Sequence, residues 1–171
     1  MDYKVKVTGK VQNSTALGIM NAYLELNPDS TLADLRRAFP NDIAPDNGVA
    51  EIFLPVSEAS KFNEKSDSIS LYFMKEDRPA LTLSDGSQVA VSQIWTSKSL
   101  NNLISEAKKY GIQAEVHKGM EKVKYGYAIE HVEQNSSVTP STPAHEKKKS
   151  YLLPLIIMII VVIGVICLIT I

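Results

Sequence analysis

Residues 151–171 read Tyr-Leu-Leu-Pro-Leu-Ile-Ile-Met-Ile-Ile-Val-Val-Ile-Gly-Val-Ile-Cys-Leu-Ile-Thr-Ile. From Leu152 to Ile171 the run carries no charge, and Thr170 supplies its one hydroxyl. A helix over this stretch is roughly 30 Å long, the thickness of a bilayer's hydrocarbon core. β-Branched Ile and Val are weak helix formers in water. Lipid offers the backbone no hydrogen-bond partner, however, so the segment closes its own bonds as a helix. Pro154 falls in the first turn, where a missing N–H costs little. A core segment of a soluble domain is usually shorter and shows polar positions. The sequence therefore predicts one C-terminal transmembrane helix over residues 151–171.

The flanks orient it. Lys147, Lys148 and Lys149 stand just before the span, and positive charge stays cytoplasmic. The body is then expected in the cytosol and the C-terminus across the membrane, the layout of a single-pass, tail-anchored protein. The start, Met-Asp-Tyr-Lys-Val-Lys, has no apolar signal-peptide core. Tyr151 sits where the headgroups would be, so Lys147, Lys148, Lys149 and Tyr151 form the expected membrane interface. Gly164, Cys167 and Thr170 recur at three-residue spacing and are candidates for a close-packing stripe between spans. Residues 133–150, rich in Ser, Thr, Pro and Lys, hold too few apolar side chains to repay ordering and read as a flexible linker.

Residues 1–132 read as an α+β body with about three helices and a mostly antiparallel sheet. Tyr3–Val11 alternates as a half-exposed strand. Ser14 or Thr15 is placed to cap a helix presenting Leu17, Met20, Tyr23 and Leu24. Thr31-x-x-Asp34 resembles a capping box, opening a second helix that stops at Pro40. Val49–Val56 and Ile69–Met74 look like strands, and residues 57–68 have no decided pattern. Leu81–Val91 is expected as a hairpin with a type I′ turn at Asp85-Gly86, its second strand running on through Ile94 and Trp95. Thr96 or Ser97 begins a third helix with Leu100, Leu103, Ile104 and Ala107 on one side, stopped by Gly111. Ile112–Val116 and Lys122–Glu130 complete the strands, the latter with Val123, Tyr125, Tyr127 and Ile129 on one face and Lys122 and Lys124 on the other. A division of the body near residue 60 stays open.

Chemistry-bearing patterns are sparse. With 18 Lys plus Arg against 19 Asp plus Glu, the chain is not a globally basic nucleic-acid binder. One cysteine, Cys167, excludes an intramolecular disulfide and any multi-thiolate metal site; deep in a lipid span it lacks a base to activate it. His117, His131 and His145 lie far apart, the glycines form no phosphate-binding loop, and Glu76-Asp77 is a carboxylate pair in an evident turn beside Arg78 and Pro79. No catalytic residue, metal ligand or cofactor is expected. Lys118, Lys122 and Lys124 with Tyr125 and Tyr127 form the best basic-aromatic cluster, suited to a nucleotide or another anionic ligand. Trp95 is a further candidate ligand platform, set against a core corner. The helices of residues 14–39 have a partly winged-helix-like layout with Arg36 and Arg37 on the second, but Asp29, Asp34, Asp42 and Asp46 surround that pair and speak against DNA.

The order hairpin, Trp95, capped helix, Gly111 and strand over residues 81–116, preceded by the helices ending Leu-Arg-Arg-Ala-Phe-Pro at Pro40, resembles small modules of uncharacterised bacterial proteins associated with restriction and phage defence. The resemblance covers residues 14–116 and implies a bacterial origin, hence the bacterial inner membrane, and a role in antiviral defence. Its motifs are structural, so it carries over no active site, and the terminal span departs from the soluble pattern. The expected function is a membrane-tethered, non-enzymatic binding or sensing module. Its partners would be the bilayer and a protein, or further copies through the span. Two alternatives stand: a membrane-perturbing effector whose spans associate once a cytosolic trigger binds the body, and an anchored DNA-binding regulator.

Overall fold

The computed structural model describes residues 3–46, 48–49, 51–66 and 69–132. Two compact units divide the chain, 1–135 and 136–171. The expected linker and span, with Lys147, Lys148, Lys149, Tyr151, Gly164, Cys167 and Thr170, lie outside the described residues. Among the described residues no helix is long and apolar enough to cross a membrane.

Among the described residues the body is α+β, with four helices and two three-stranded sheets. In the first sheet β1 (Val5–Gly9) lies between β5 (Ile112–Val116), to which it runs parallel, and β6 (Tyr127–His131), to which it runs antiparallel. In the second, β4 (Gln88–Val91) pairs antiparallel with both β2 (Phe53–Pro55) and β3 (Leu81–Thr82). Antiparallel pairing thus predominates, as expected. The parallel β1–β5 pair was not foreseen, because nothing local marks two strands so far apart in sequence as neighbours.

Helix α1 (Gln12–Leu26) packs on the first sheet and on α4 (Ser97–Ala107). Its residues are buried from Ser14 to Met20 with hardly a polar face, the mark of an interior helix. Val5 and Val7 point into this core while Lys6 faces outward, where its ammonium meets Glu115 at 2.8 Å. The second sheet is covered on both faces. Phe53, Val89 and Val91 join the main core with Leu17, Leu103 and Ile112, whereas Leu54 and Ala90 pack with Ala59 of α3 (Val56–Lys65) and Tyr72. One core therefore draws on both halves of the chain, and β2 pairs directly with β4 across any break near residue 60.

Several local expectations change. Helix α1 begins at Gln12, not at Ser14 or Thr15. Val11 at its N-cap has no side-chain acceptor, and Ser14 within the first turn accepts from the Val11 N–H instead (3.2 Å). The α3 helix occupies the undecided stretch, and the strand expected over 49–56 shrinks to three residues. Ile69–Met74 forms no strand beyond a bridge from Tyr72 to Ser92. Asn63 holds it, Oδ1 accepting from the Leu71 and Tyr72 N–H groups at 2.8 and 3.0 Å. The hairpin at Asp85-Gly86 forms, but not as type I′: Gly86 alone takes positive φ (79°), closing a three-residue loop in which Leu83 N–H donates to Ser87 O (2.9 Å). The second strand ends at Val91 rather than at Trp95.

The winged-helix-like layout does not form. Helix α2 (Leu32–Ala38) packs over β2, and α1 is committed to the first sheet. Arg36 donates to the Phe53 carbonyl (3.1 Å) and lies 3.4 Å from Glu51, while Arg37 pairs with Asp34 at 2.8 Å.

The capping box of α2 is as expected. Thr31 Oγ1 accepts from the Asp34 N–H (3.3 Å), and Asp34 Oδ2 accepts from the Thr31 hydroxyl (2.7 Å) and N–H (3.0 Å). The bonds from Thr31, and after them the charge of Arg37, hold the Asp34 carboxyl below its ordinary value. A depressed carboxyl adds stability above the pKa of the unfolded chain, about 3.9 for aspartate, and that stability is lost as pH falls through the lower folded value. Thr31→Ala is expected to move the Asp34 midpoint up toward the ordinary range and to fray α2 at a higher pH, read by carbon-detected NMR titration of Asp34.

Candidate functional site

The sheet register decides which residues meet. Gly9 lies opposite both Val116 and Tyr127, so the C-terminal ends of β1 and β5 and the N-terminal end of β6 share one end of the first sheet. Backbone bonds close it: His117 N–H donates to Gly9 O (2.8 Å) and Lys10 N–H to Gly126 O (2.9 Å). Lys10, Lys118, Lys122 and Lys124 consequently gather at this end, all exposed, and none pairs with a carboxylate among the described residues.

The strand expected over Lys122–Glu130 is broken here. Residues Lys124–Gly126 form a 3-10 turn and β6 starts only at Tyr127. Tyr125 has φ 65° and ψ −4°, the one non-glycine with positive φ among the described residues, and Gly126 follows with φ 76°. A side chain with a Cβ is held in that region at a cost of roughly 1–2 kcal/mol. The alternation of Val123, Tyr125, Tyr127 and Ile129 is therefore not a common strand face. The left-handed turn aims Tyr125 separately, and the pattern that suggested a strand carried no sign of it.

A groove of about 360 Å³ lies against this turn. Lys10, Val11 and Ser14 line it from the β1–α1 junction, Glu76, Asp77 and Arg78 from a second turn, and Lys122–Gly126 from the third segment. Arg78 N–H closes the second turn on Lys75 O (2.9 Å); its guanidinium lies 3.5 Å from Asp77 and 5.7 Å from the centre of the Phe73 ring. Lys124 Nζ stands 4.7 Å over the Tyr125 ring, and Tyr125 stacks with Tyr127 at 6.2 Å.

Of the residues predicted as a cluster, the groove unites Lys122, Lys124 and Tyr125. Lys118 opens onto a neighbouring groove with Gln12, Ser97 and Asn101, the two grooves sharing Val11. Tyr127 is structural: its ring lies where a Cβ on Gly18 would come within 2.9 Å, and burial, then Tyr125 and Glu25, push its hydroxyl up to about 12. Trp95 is a core corner, 7 % exposed, with Nε1 donating to Ser92 O (2.8 Å). Lys10, and Arg78 with its carboxylate neighbours, were not foreseen as partners of the cluster. Only the pairing of β1 with β6 brings Lys10 to the turn.

No protein-family model, curated protein or solved structure matches the chain.

Proposed function

We propose that this protein is a membrane-attached binding module. Residues 152–171 fix it in a bilayer, and the α+β body binds its ligand on the cytosolic side through the basic end of the first sheet, without catalysing a reaction. The observation that carries the attachment is the uncharged run of 20 residues behind Lys147, Lys148 and Lys149. Lys10, Lys122 and Lys124 around one groove, none paired with a carboxylate among the described residues, support the binding role, since clustered like charges are relieved by an anion. Attachment to a surface raises the effective concentration of the body for anything gathered there, with no new contacts. Fractionation of cells making the full chain tests this. The protein should pellet with membranes, resist alkaline carbonate and be spared by protease applied outside intact cells. Recovery in the detergent-free supernatant refutes the attachment, and digestion of the body from outside refutes the orientation.

A further inference from the structure

We propose that the groove between the Lys75–Arg78 turn and the 122–126 turn takes a soluble, phosphate-bearing small molecule with hydroxyl or amine donors, such as a nucleotide or sugar phosphate, rather than the headgroups of the bilayer. The assignment rests on reading this groove as the module's binding site.

Two observations carry it. First, Lys10, Lys122 and Lys124 surround the apolar strip of Val11, Val123 and Tyr125, so the groove offers multivalent anion recognition beside a surface that sheds water readily. Its volume falls within the range of small-ligand sites. Second, exposed carboxylates of Glu76 and Asp77 line the same groove. A lipid surface would press phosphates against those carboxylates along with the lysines. A discrete molecule can turn its phosphate to the lysines and its donors to Glu76 and Asp77, where each carboxylate accepts a charge-assisted hydrogen bond. Because Lys124 and Tyr127 already occupy the surroundings of the Tyr125 ring, recognition runs through phosphate and donors rather than through stacking on that ring.

Amine labelling of the full chain in phosphatidylcholine nanodiscs tests the site, with acetylation at each lysine quantified by mass spectrometry and Lys108 as internal reference. ATP at about 1 mM is expected to slow labelling of Lys122 and Lys124 about sixfold, as a dissociation constant of roughly 0.2 mM would give, and to leave Lys108 unchanged. Inorganic pyrophosphate should protect the same lysines. In the double variant Glu76→Gln, Asp77→Asn, protection by pyrophosphate should persist or strengthen, and protection by ATP should weaken. Protection that appears only when phosphatidylserine replaces part of the lipid assigns the groove to headgroups and overturns the proposal, as does protection by neither phosphate compound or equal protection at Lys108. A chain that remains free of the nanodiscs refutes membrane attachment and leaves the labelling comparison intact in solution.

Discussion

With aspartate at both 160 and 163, the full chain is expected to shift from the membrane pellet to the supernatant. Ile160 and Ile163 stand near the middle of the 152–171 run. On insertion scales a charged residue at a helix centre costs about 2.5–3.5 kcal/mol, and each aliphatic residue contributes only about −0.3 to −0.6 kcal/mol. Two aspartates therefore offset most of what the whole run gains. The leucine pair Ile160→Leu, Ile163→Leu keeps the apolar count and should pellet like the parent. Carbonate extraction of the three proteins side by side reads the result. Equal retention of the aspartate variant would mean that something other than this run holds the protein to membranes.

Gly9→Ala should produce the largest loss of stability from a single methyl group. A Cβ at Gly9 would land on Thr15 Oγ1 and within 2.6 Å of the Thr15 N and Cα, which are helix backbone and cannot step aside. The variant must pry the end of β1 from the first turn of α1, where the main core begins. Overpacking typically costs about 1–3 kcal/mol, and a backbone clash belongs at the upper end. A fall in Tm of roughly 10 °C follows for a domain of this size. Gly48→Ala is the comparison: nothing lies within 4 Å of its Cβ, so only its φ of 69° resists, at about 1 kcal/mol. Thermal unfolding of the full chain in mild detergent, followed by near-ultraviolet circular dichroism, should rank the two. Parental stability in Gly9→Ala would refute this close approach of β1 to α1.

Signals within a few residues of each other were legible in the sequence. The Thr31–Asp34 box, the Thr96 cap whose Oγ1 accepts from the Ser99 N–H (3.2 Å), and the left-handed Gly111 after α4 all form as read. Each depends on a short chain closing a bond on itself. Strands were read less well because a strand needs a partner. Ile69–Met74 has the composition of one, yet the Asn63 side chain takes the Leu71 and Tyr72 N–H groups. At Lys122–Glu130 the alternation was present, but the left-handed Tyr125 breaks it.

Of the candidate site, Lys122, Lys124 and Tyr125 were found through their closeness in sequence. Trp95 forms the core corner that was weighed against a ligand platform, and Tyr127 is half-buried against Gly18, a placement that composition does not reveal. Lys10 and the 76–78 turn were missed because they reach the groove from distant parts of the chain.

Length, charge and hydropathy by themselves determined the division into an α+β body, a polar connector and an apolar run, together with the helix caps that punctuate the body; these are local properties that neighbouring residues share. The tertiary structure alone decided that β1 lies between β5 and β6, and with it which lysines stand around one groove. Strand pairing joins residues more than a hundred positions apart, and it goes with the burial of α1 against β1, β5 and β6, an energy no short segment carries.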